Sequence, residues 1–257
     1  MRRVAITGMG VISPVGCGVT EFWNALTGGV CGIAPIARFD ASDFKVKLAA
    51  EVKRFDPAEH GIDASAARRM DLFSQYAMAA ARMAMQGAGD LGVSPDRLGV
   101  YVGSGIGGMR TFVAETEKLL TRGPSRVSPF YVPMMIGNIA SGNIAIEYGA
   151  MGPCLPVVTA CATGTHAIGE AFRAIAHGYA DAIIAGGAEA AIEPLAVAGF
   201  ANMKALSESA DPSAASLPFD ARRAGFVMGE GAGVVVLEEL ERAKKRGATI
   251  YAELAGY

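Results

Sequence analysis

The segment Pro156–His166 reads PVVTACATGTH, and it sets a cysteine between a β-prone run and a helical pattern. Val157–Thr159 suits a strand because branched side chains pack well on extended backbone. From Ala167 onward apolar residues recur at helical spacing, and His177 and Gly178 are stop signals. A strand followed directly by a helix is the repeating unit of layered α/β proteins, so we predict an α/β fold.

Cys161 is the candidate nucleophile of this segment, because it lies at the predicted strand-to-helix turn. Unpaired backbone N–H groups and the positive end of the helix dipole favour a thiolate at such a position. A nucleophile elbow presents its serine in the same way. A buried, inert cysteine is the alternative, and the spacing alone does not decide between the two.

Composition excludes several classes of protein. The 257 residues can form one large domain or two small ones with a sizeable core. A net charge of -2 argues against a general nucleic-acid binder. No apolar run reaches the length of about 18 residues that a transmembrane helix needs, and Met1–Gly8 reads as a first strand and not as a signal peptide. The four cysteines lack zinc-type spacing, so we expect no metal site and free thiols in a cytoplasmic protein.

Strands and helices alternate along the whole chain. Such alternation predicts a largely parallel or mixed sheet that is layered with helices. The predicted strands are 3–7, 98–102, 157–159, 182–185, 231–237 and 249–254, with weak strand character in a loop at 38–54. The predicted helices are 19–27, 66–86, 109–120, 135–148, a segment from Cys161 to about 179, 194–200 and 238–246.

Two glycine-rich segments raise the alternative of nucleotide binding. Gly8–Ser13 follows a predicted strand, as a dinucleotide-binding turn would, but Ser13 replaces the third glycine and Pro14 interrupts the helix that should follow. Gly103–Gly108 lacks the Lys-Ser/Thr pair of a phosphate-binding Walker loop. We therefore interpret both as glycine turns between packed layers, with nucleotide binding as the second hypothesis.

The histidines offer no obvious partner for Cys161. A catalytic cysteine usually has a histidine base, and this chain has only His60, His166 and His177. His166 follows Cys161 by five residues, which points it to a different helical face. His177 suits the end of the helix, where it would meet the negative end of the dipole. The sequence thus gives a candidate nucleophile without a base.

Six motifs, taken in order, resemble a known enzyme family. They are Val4–Gly10 (VAITGMG), Ser128–Pro133 (SPFYVP), Thr159–Gly164 (TACATG), Gly186–Glu189 (GGAE), Pro218–Asp220 (PFD) and Gly225–Gly233 (GFVMGEGAG). Together they resemble the β-ketoacyl-acyl carrier protein synthases, most closely the type II elongating synthases of bacterial fatty acid synthesis. The resemblance covers the whole chain.

The resemblance implies a thiolase-like fold built from two similar α/β halves, a homodimer, and no metal or organic cofactor. It assigns residues 1–248 to the N-terminal half and 249–257 to the start of the second. The family's catalytic histidines, a lysine and a gating glycine loop belong to that second half. We therefore expect the 257-residue chain alone to lack condensing activity.

The resemblance also assigns site residues. Cys161 would take an acyl group from an acyl carrier protein, and a malonyl carrier thioester would then decarboxylate and condense with it. Ile106 and Phe200 match acyl-pocket positions, and Met134–Asn138 would reach toward the partner's pocket. Ordinary core packing is the alternative for the two pocket residues. The positions that match carrier-protein docking residues are Arg68, Arg69, Arg126 and Lys204.

Other functions stay open at this point. A polyketide-type ketosynthase and a coenzyme A-dependent enzyme of the thiolase fold share the nucleophile, and a non-catalytic fragment is a third alternative. Cys161 argues against a chain-length factor, because that relative lacks the cysteine. The basic docking residues and the motif Gly225–Gly233 argue against coenzyme A dependence.

Overall fold

The computed structural model describes all residues, 1–257, as nine α-helices and eight strands. The strands are β1 (Val4–Ser13), β2 (Gly16–Cys17), β3 (Ala34–Pro35), β4 (Leu48–Ala49), β5 (Leu98–Gly103), β6 (Ala182–Glu189), β7 (Gly231–Glu239) and β8 (Ala252–Leu254). The helices are α1 (Val19–Thr27), α2 (Ala64–Ala67), α3 (Leu72–Ala88), α4 (Met109–Arg122), α5 (Tyr131–Met135), α6 (Ile139–Tyr148), α7 (Thr163–Ala176), α8 (Pro194–Asn202) and α9 (Leu240–Lys245).

The main sheet has six strands in the order β2-β1-β7-β6-β5, and β8 also pairs with β1. Strands β5 and β6 run parallel, with Leu98 opposite Ala182 and Gly103 opposite Gly187. All other pairs in this sheet are antiparallel. The predicted mixed sheet is confirmed. The domain boundary proposed at residue 248 stays a prediction. Strand β8, which lies beyond that residue, pairs with β1 of the same sheet.

Helices cover both faces of this sheet. On one face α3 and α6 pack against Val100, Val102 and Ile184. On the other face α7 packs against Tyr101 and Ile183, the neighbours of those residues along their strands. Successive residues of a strand point to opposite faces, so a strand covered on both sides is apolar throughout. This explains why β5 is buried at every position.

The first strand corrects the prediction of a turn at Gly8–Gly10. Strand β1 continues through both glycines to Ser13 and then forms a hairpin with β2. A Cβ atom at Gly8 would lie 2.0 Å from the carbonyl oxygen of Ala84, and one at Gly10 would lie 1.9 Å from that of Ala80. The glycines therefore let the backbone of α3 lie directly on the strand. They do not form a turn that could receive a phosphate.

Two predicted helices are interrupted. The segment 66–86 divides because Asp71 has extended backbone and caps α3, its carboxylate accepting a hydrogen bond from the Phe73 N–H. The segment 135–148 divides at Ile136, which is also extended, so that α5 and α6 are separate helices. The remaining predicted helices match the observed ones to within a few residues.

None of the helices combines the length and the apolar character that crossing a membrane would require. No three His, Cys, Asp or Glu side chains come together in a geometry that could hold a metal ion.

Candidate active site

The predicted strand at 157–159 is wrong, because this segment belongs to no strand. Pairing with β5 is limited to a single parallel bridge between Cys154 and Val100, where the Leu155 N–H donates to the Val100 carbonyl at 3.1 Å. Pro156 has no N–H and cannot extend the ladder. The segment nevertheless runs along the sheet toward Cys161.

Cys161 lies in a tight turn directly before α7, as the sequence predicts. It is the middle residue of the 3₁₀ turn Ala160–Ala162, and its side chain is exposed. Ala160 has a φ of 53°, a left-handed conformation that is unfavourable for a residue with a side chain. The Cys161 N–H donates to no carbonyl and to no side chain. The turn therefore presents a thiol and an unpaired N–H at the N-terminal end of a 14-residue helix.

Side-chain and backbone hydrogen bonds hold this turn in place. The Thr159 N–H donates to Thr163 Oγ1 at 2.9 Å, and the Ala162 N–H donates to the Thr159 carbonyl at 3.2 Å. Thr159 Oγ1 is also 2.6 Å from His166 Nδ1. Both sides of Cys161 are thus anchored to the first turns of α7.

Three glycines let the start of α7 lie directly on the sheet. A Cβ atom at Gly187 would be 2.9 Å from the Cα of Gly164, and one at Gly103 would be 2.1 Å from the Val157 carbonyl oxygen and 2.5 Å from Thr163 Cγ2. Carbon atoms in ordinary contact are about 3.5–4.0 Å apart, so no side chain fits at Gly187 or Gly103. We call Gly103, Gly164 and Gly187 the glycine seam.

Cys161 opens onto a cleft of about 640 Å³. Ile106 and Phe200, predicted as acyl-pocket residues, line the same cleft. The cleft is bordered by the Gly103–Ile106 loop, the end of β6 and the segment Phe226–Gly233. More of its lining residues are apolar than polar, which suits a ligand with a hydrocarbon part. The structure therefore brings three predicted site residues together around one cavity.

Glu189 is a cleft residue whose role the sequence did not reveal. Its carboxylate accepts hydrogen bonds from Ser104 Oγ and from the Gly105 N–H, both at 2.9 Å. Burial raises the pKa of Glu189, and these donors together with the Ile106 N–H oppose that rise. The available signal was an acidic residue directly after the apolar strand residues Ala182–Ala188.

Glu230 supports the opposite wall of the cleft, and it too was missed. Its carboxylate pairs with Arg38 and accepts hydrogen bonds from the Val52 N–H at 2.9 Å and the Tyr76 hydroxyl at 3.2 Å. Burial raises the pKa of Glu230, and the Arg38 charge opposes this. The glutamate ties the motif Gly225–Gly233 to α3 and to the loop before it.

None of the histidines lines the cleft. His166 bonds to Thr159 and packs edge-on against Tyr257. His177 caps the C-terminal end of α7, and His60 stacks on Phe55. These positions agree with the expectation that His166 is a poor base for Cys161.

The four predicted docking residues are exposed, on three separate segments. Arg68 and Arg69 follow α2, Arg126 ends the 3₁₀ turn Pro124–Arg126, and Lys204 lies just after α8 with a φ of 58°. None of the four forms a salt bridge within the chain. Their part in docking stays a prediction.

A comparison with known protein families decides the assignment. The profile of the β-ketoacyl synthase N-terminal domain matches residues 1–243. The chain belongs to the β-ketoacyl synthase family. The 3-oxoacyl-[acyl-carrier-protein] synthase 2 of Staphylococcus aureus (strain COL) is 52% identical over 259 aligned residues, which include all of this chain and 62% of the relative. The synthase of the same name from Coxiella burnetii (strain RSA 493 / Nine Mile phase I) is also 52% identical, with the same shares covered.

Solved structures of synthases share the fold. A β-ketoacyl synthase from Burkholderia phymatum STM815 superimposes with a TM-score of 0.88 at 35% identity, covering 98% of this chain and 63% of that one. The ishigamide ketosynthase/chain length factor gives a TM-score of 0.87 at 37% identity, with 99% and 62% covered. These neighbours confirm the thiolase-like fold class. The chain spans about 62% of the length of the curated relatives named above.

Proposed function

We propose that Cys161 carries an acyl group as a thioester in the elongation of fatty acids on an acyl carrier protein. The observation that carries the proposal is the position of Cys161 at the N-terminal end of α7, facing the same cleft as Ile106 and Phe200. A helix N-terminus favours a negatively charged thiolate. The apolar cleft provides a place for the hydrocarbon tail of the acyl group.

The proposed reaction has two stages. The Cys161 thiolate attacks the carbonyl of an acyl carrier thioester and releases the carrier's thiolate, so that the acyl group rests on Sγ. A malonyl carrier thioester then loses carbon dioxide, and the resulting carbanion attacks the acyl carbonyl and displaces Cys161 as a thiolate. The product is a 3-oxoacyl thioester two carbons longer. Each attack places negative charge on a carbonyl oxygen, and the Cys161 N–H is a candidate donor to it because no other group uses it.

The proposed partner is an acyl carrier protein, loaded with an acyl or a malonyl group. A similar solved structure, covering 99% of this chain at 33% identity with a TM-score of 0.85, is a type II polyketide synthase acyl-carrier protein in complex with its ketosynthase. Positive charge suited to an acidic carrier is supplied by four exposed side chains that form no salt bridge: Arg68, Arg69, Arg126 and Lys204. From the resemblance alone we also infer a homodimer that works in the cytoplasm without a cofactor.

The experiment offers hexanoyl-acyl carrier protein to the protein that contains this sequence and follows its intact mass. We expect a gain of one hexanoyl group, abolished by Cys161→Ser and retained by the matched variant Cys154→Ser. Hexanoyl-coenzyme A in place of the carrier tests the coenzyme A-dependent alternative, which predicts equal or faster loading. Loading that survives Cys161→Ser would refute the proposal, and no loading from either donor would support a non-catalytic role.

A further inference from the structure

We propose that Glu189 and Ser104 form a clamp that fixes Ile106 in the cleft and thereby sets the acyl length that the site accepts. The inference rests on the proposed function and deepens it. It concerns two residues that position a third, and neither of the two is assigned a part in the chemistry.

The clamp binds the backbone on both sides of Ile106. Glu189 Oε2 accepts from the Gly105 N–H at 2.9 Å, while Glu189 Oε1 accepts from Ser104 Oγ at 2.9 Å. Ser104 Oγ in turn accepts from the Gly107 N–H at 2.9 Å. The residues before and after Ile106 are therefore both held, directly or through the serine, by one carboxylate.

The carboxylate lies so close to the loop that it restricts the sequence there. A Cβ atom at Gly105 would be 2.8 Å from Glu189 Oε2, so a side chain at this position would have to displace the carboxyl group. On its other side the loop meets the segment Met134–Gly137, where the Gly108 N–H donates to the Met135 carbonyl at 2.9 Å. The loop is thus fixed between the half-buried Glu189 carboxyl group and the backbone of a neighbouring segment.

Ile106 has few other constraints. Its side chain is 39% exposed and belongs to none of the buried hydrophobic clusters. Its place at the cleft therefore depends on the backbone that the clamp holds. Glu189 ends β6, a strand paired on both sides by β5 and β7, so the clamp connects the loop to a rigid part of the sheet. When the clamp is weakened, Ile106 can move out of the space that a long acyl tail requires.

The test measures alkylation of Cys161, which does not require condensing activity. Iodoacetamide reports the reactivity of the thiol, and N-decyl iodoacetamide reports the room available to a long chain. The ratio of the two second-order rates, measured by peptide mass mapping, is the readout. A change that merely disturbs Cys161 alters both rates and leaves the ratio unchanged.

We expect Ser104→Ala and Glu189→Gln to raise the ratio of decyl to unsubstituted reagent by about threefold to tenfold, the effect of losing one hydrogen bond of ordinary strength. Glu189→Gln keeps the size of the side chain and so guards against simple loss of packing. The control is Ser74→Ala, which removes a buried hydroxyl that accepts a hydrogen bond from the Asn143 amide and does not line the cleft. Its ratio should equal that of the unmodified protein.

A double variant separates positioning from a general structural effect. Ile106→Ala alone should raise the ratio, and adding Glu189→Gln to it should raise the ratio no further, because the side chain to be positioned is gone. Equal effects of Glu189→Gln with and without Ile106, or no change in either clamp variant, would overturn the inference. Failure of acyl loading from the carrier leaves this ratio unaffected, so the two proposals fail separately.

Discussion

Within the glycine seam, adding one methyl group at Gly187 and adding one at Gly164 should have opposite effects on the free energy of unfolding. A Cβ atom at Gly187 would lie 2.9 Å from Gly164 Cα and 3.3 Å from Gly164 N, whereas one at Gly164 would lie 3.7 Å from the nearest atoms of Gly187. Because carbon contacts prefer about 3.5–4.0 Å, Gly187→Ala forces the start of α7 away from the sheet by at least about 0.6 Å. Gly164→Ala meets only an ordinary contact.

The magnitudes follow from packing and helix propensity. Overpacking of a tight core costs about 1–3 kcal/mol, and the lower entropy of an unfolded alanine returns about 0.4–1 kcal/mol. Gly187→Ala should therefore lower the free energy of unfolding by about 1–2 kcal/mol. Gly164→Ala lies in α7 and should raise it by about 0.5 kcal/mol, since alanine favours a helix. The free energies of unfolding of Gly187→Ala and Gly164→Ala should thus differ by about 2 kcal/mol, although each variant adds one methyl group at the same contact.

Urea denaturation followed by circular dichroism measures this difference directly. The rate of Cys161 alkylation by iodoacetamide should fall in Gly187→Ala, because the turn that presents the thiol moves with α7. Equal free energies of unfolding of the two variants would refute the proposal that the contact between Gly187 and Gly164 determines the position of α7.

Three further expectations concern the thiol, the cleft and pH. Cys161 should be alkylated first at limiting iodoacetamide, because packing around the Cys154 thiol raises its pKa; peptide mapping that finds Cys154 modified first would contradict this. Ile106→Phe should slow loading of a decanoyl group by about tenfold relative to a hexanoyl group, since the ring fills space that the longer tail needs; an equal loss for both would make Ile106 a core residue. Hydrogen bonds from Arg97, followed by those from Arg2, lower the pKa of Asp181 from 3.8 to about 2. The stabilisation of the folded state by the ionised Asp181 carboxylate is therefore complete above pH 4 and is lost as pH falls toward 2. Asp181→Asn should therefore cost about 1 kcal/mol at pH 7, after allowance for solvent screening, and nothing near pH 2 in urea titrations; a pH-independent cost would exclude the ion pair as its cause.

The sequence predicted those elements whose signal is local. Helix α1 was predicted at its observed bounds because glycines flank it on both sides, and β5, β6 and β7 were predicted because their apolar runs stand out. Cys161 at a turn before a helix followed from the small residues after it. These signals need no knowledge of the rest of the chain.

The failures depend on contacts between distant segments. The turn predicted at Gly8 is a strand because α3, more than 60 residues later, lies against it. The break at Asp71 was missed because its carboxylate is held by Thr111 from another helix as well as by its own cap. Glu189 and Glu230 have their roles only when the loops they bind are in place. No local periodicity reports such pairings.

The glycine seam separates what can vary in this site from what cannot. The place of the nucleophile is determined by main-chain atoms in contact, which every sequence with the seam shares. The shape of the cleft is determined by side chains such as Ile106 and Phe200, which line the cavity. A lineage, or a directed-evolution library, can therefore explore new chain lengths by exchanging cleft side chains while the nucleophile stays in register. Gly103 and Gly187 allow no such gradual exchange, because even the Cβ atom of alanine would clash there with the backbone of the neighbouring segment.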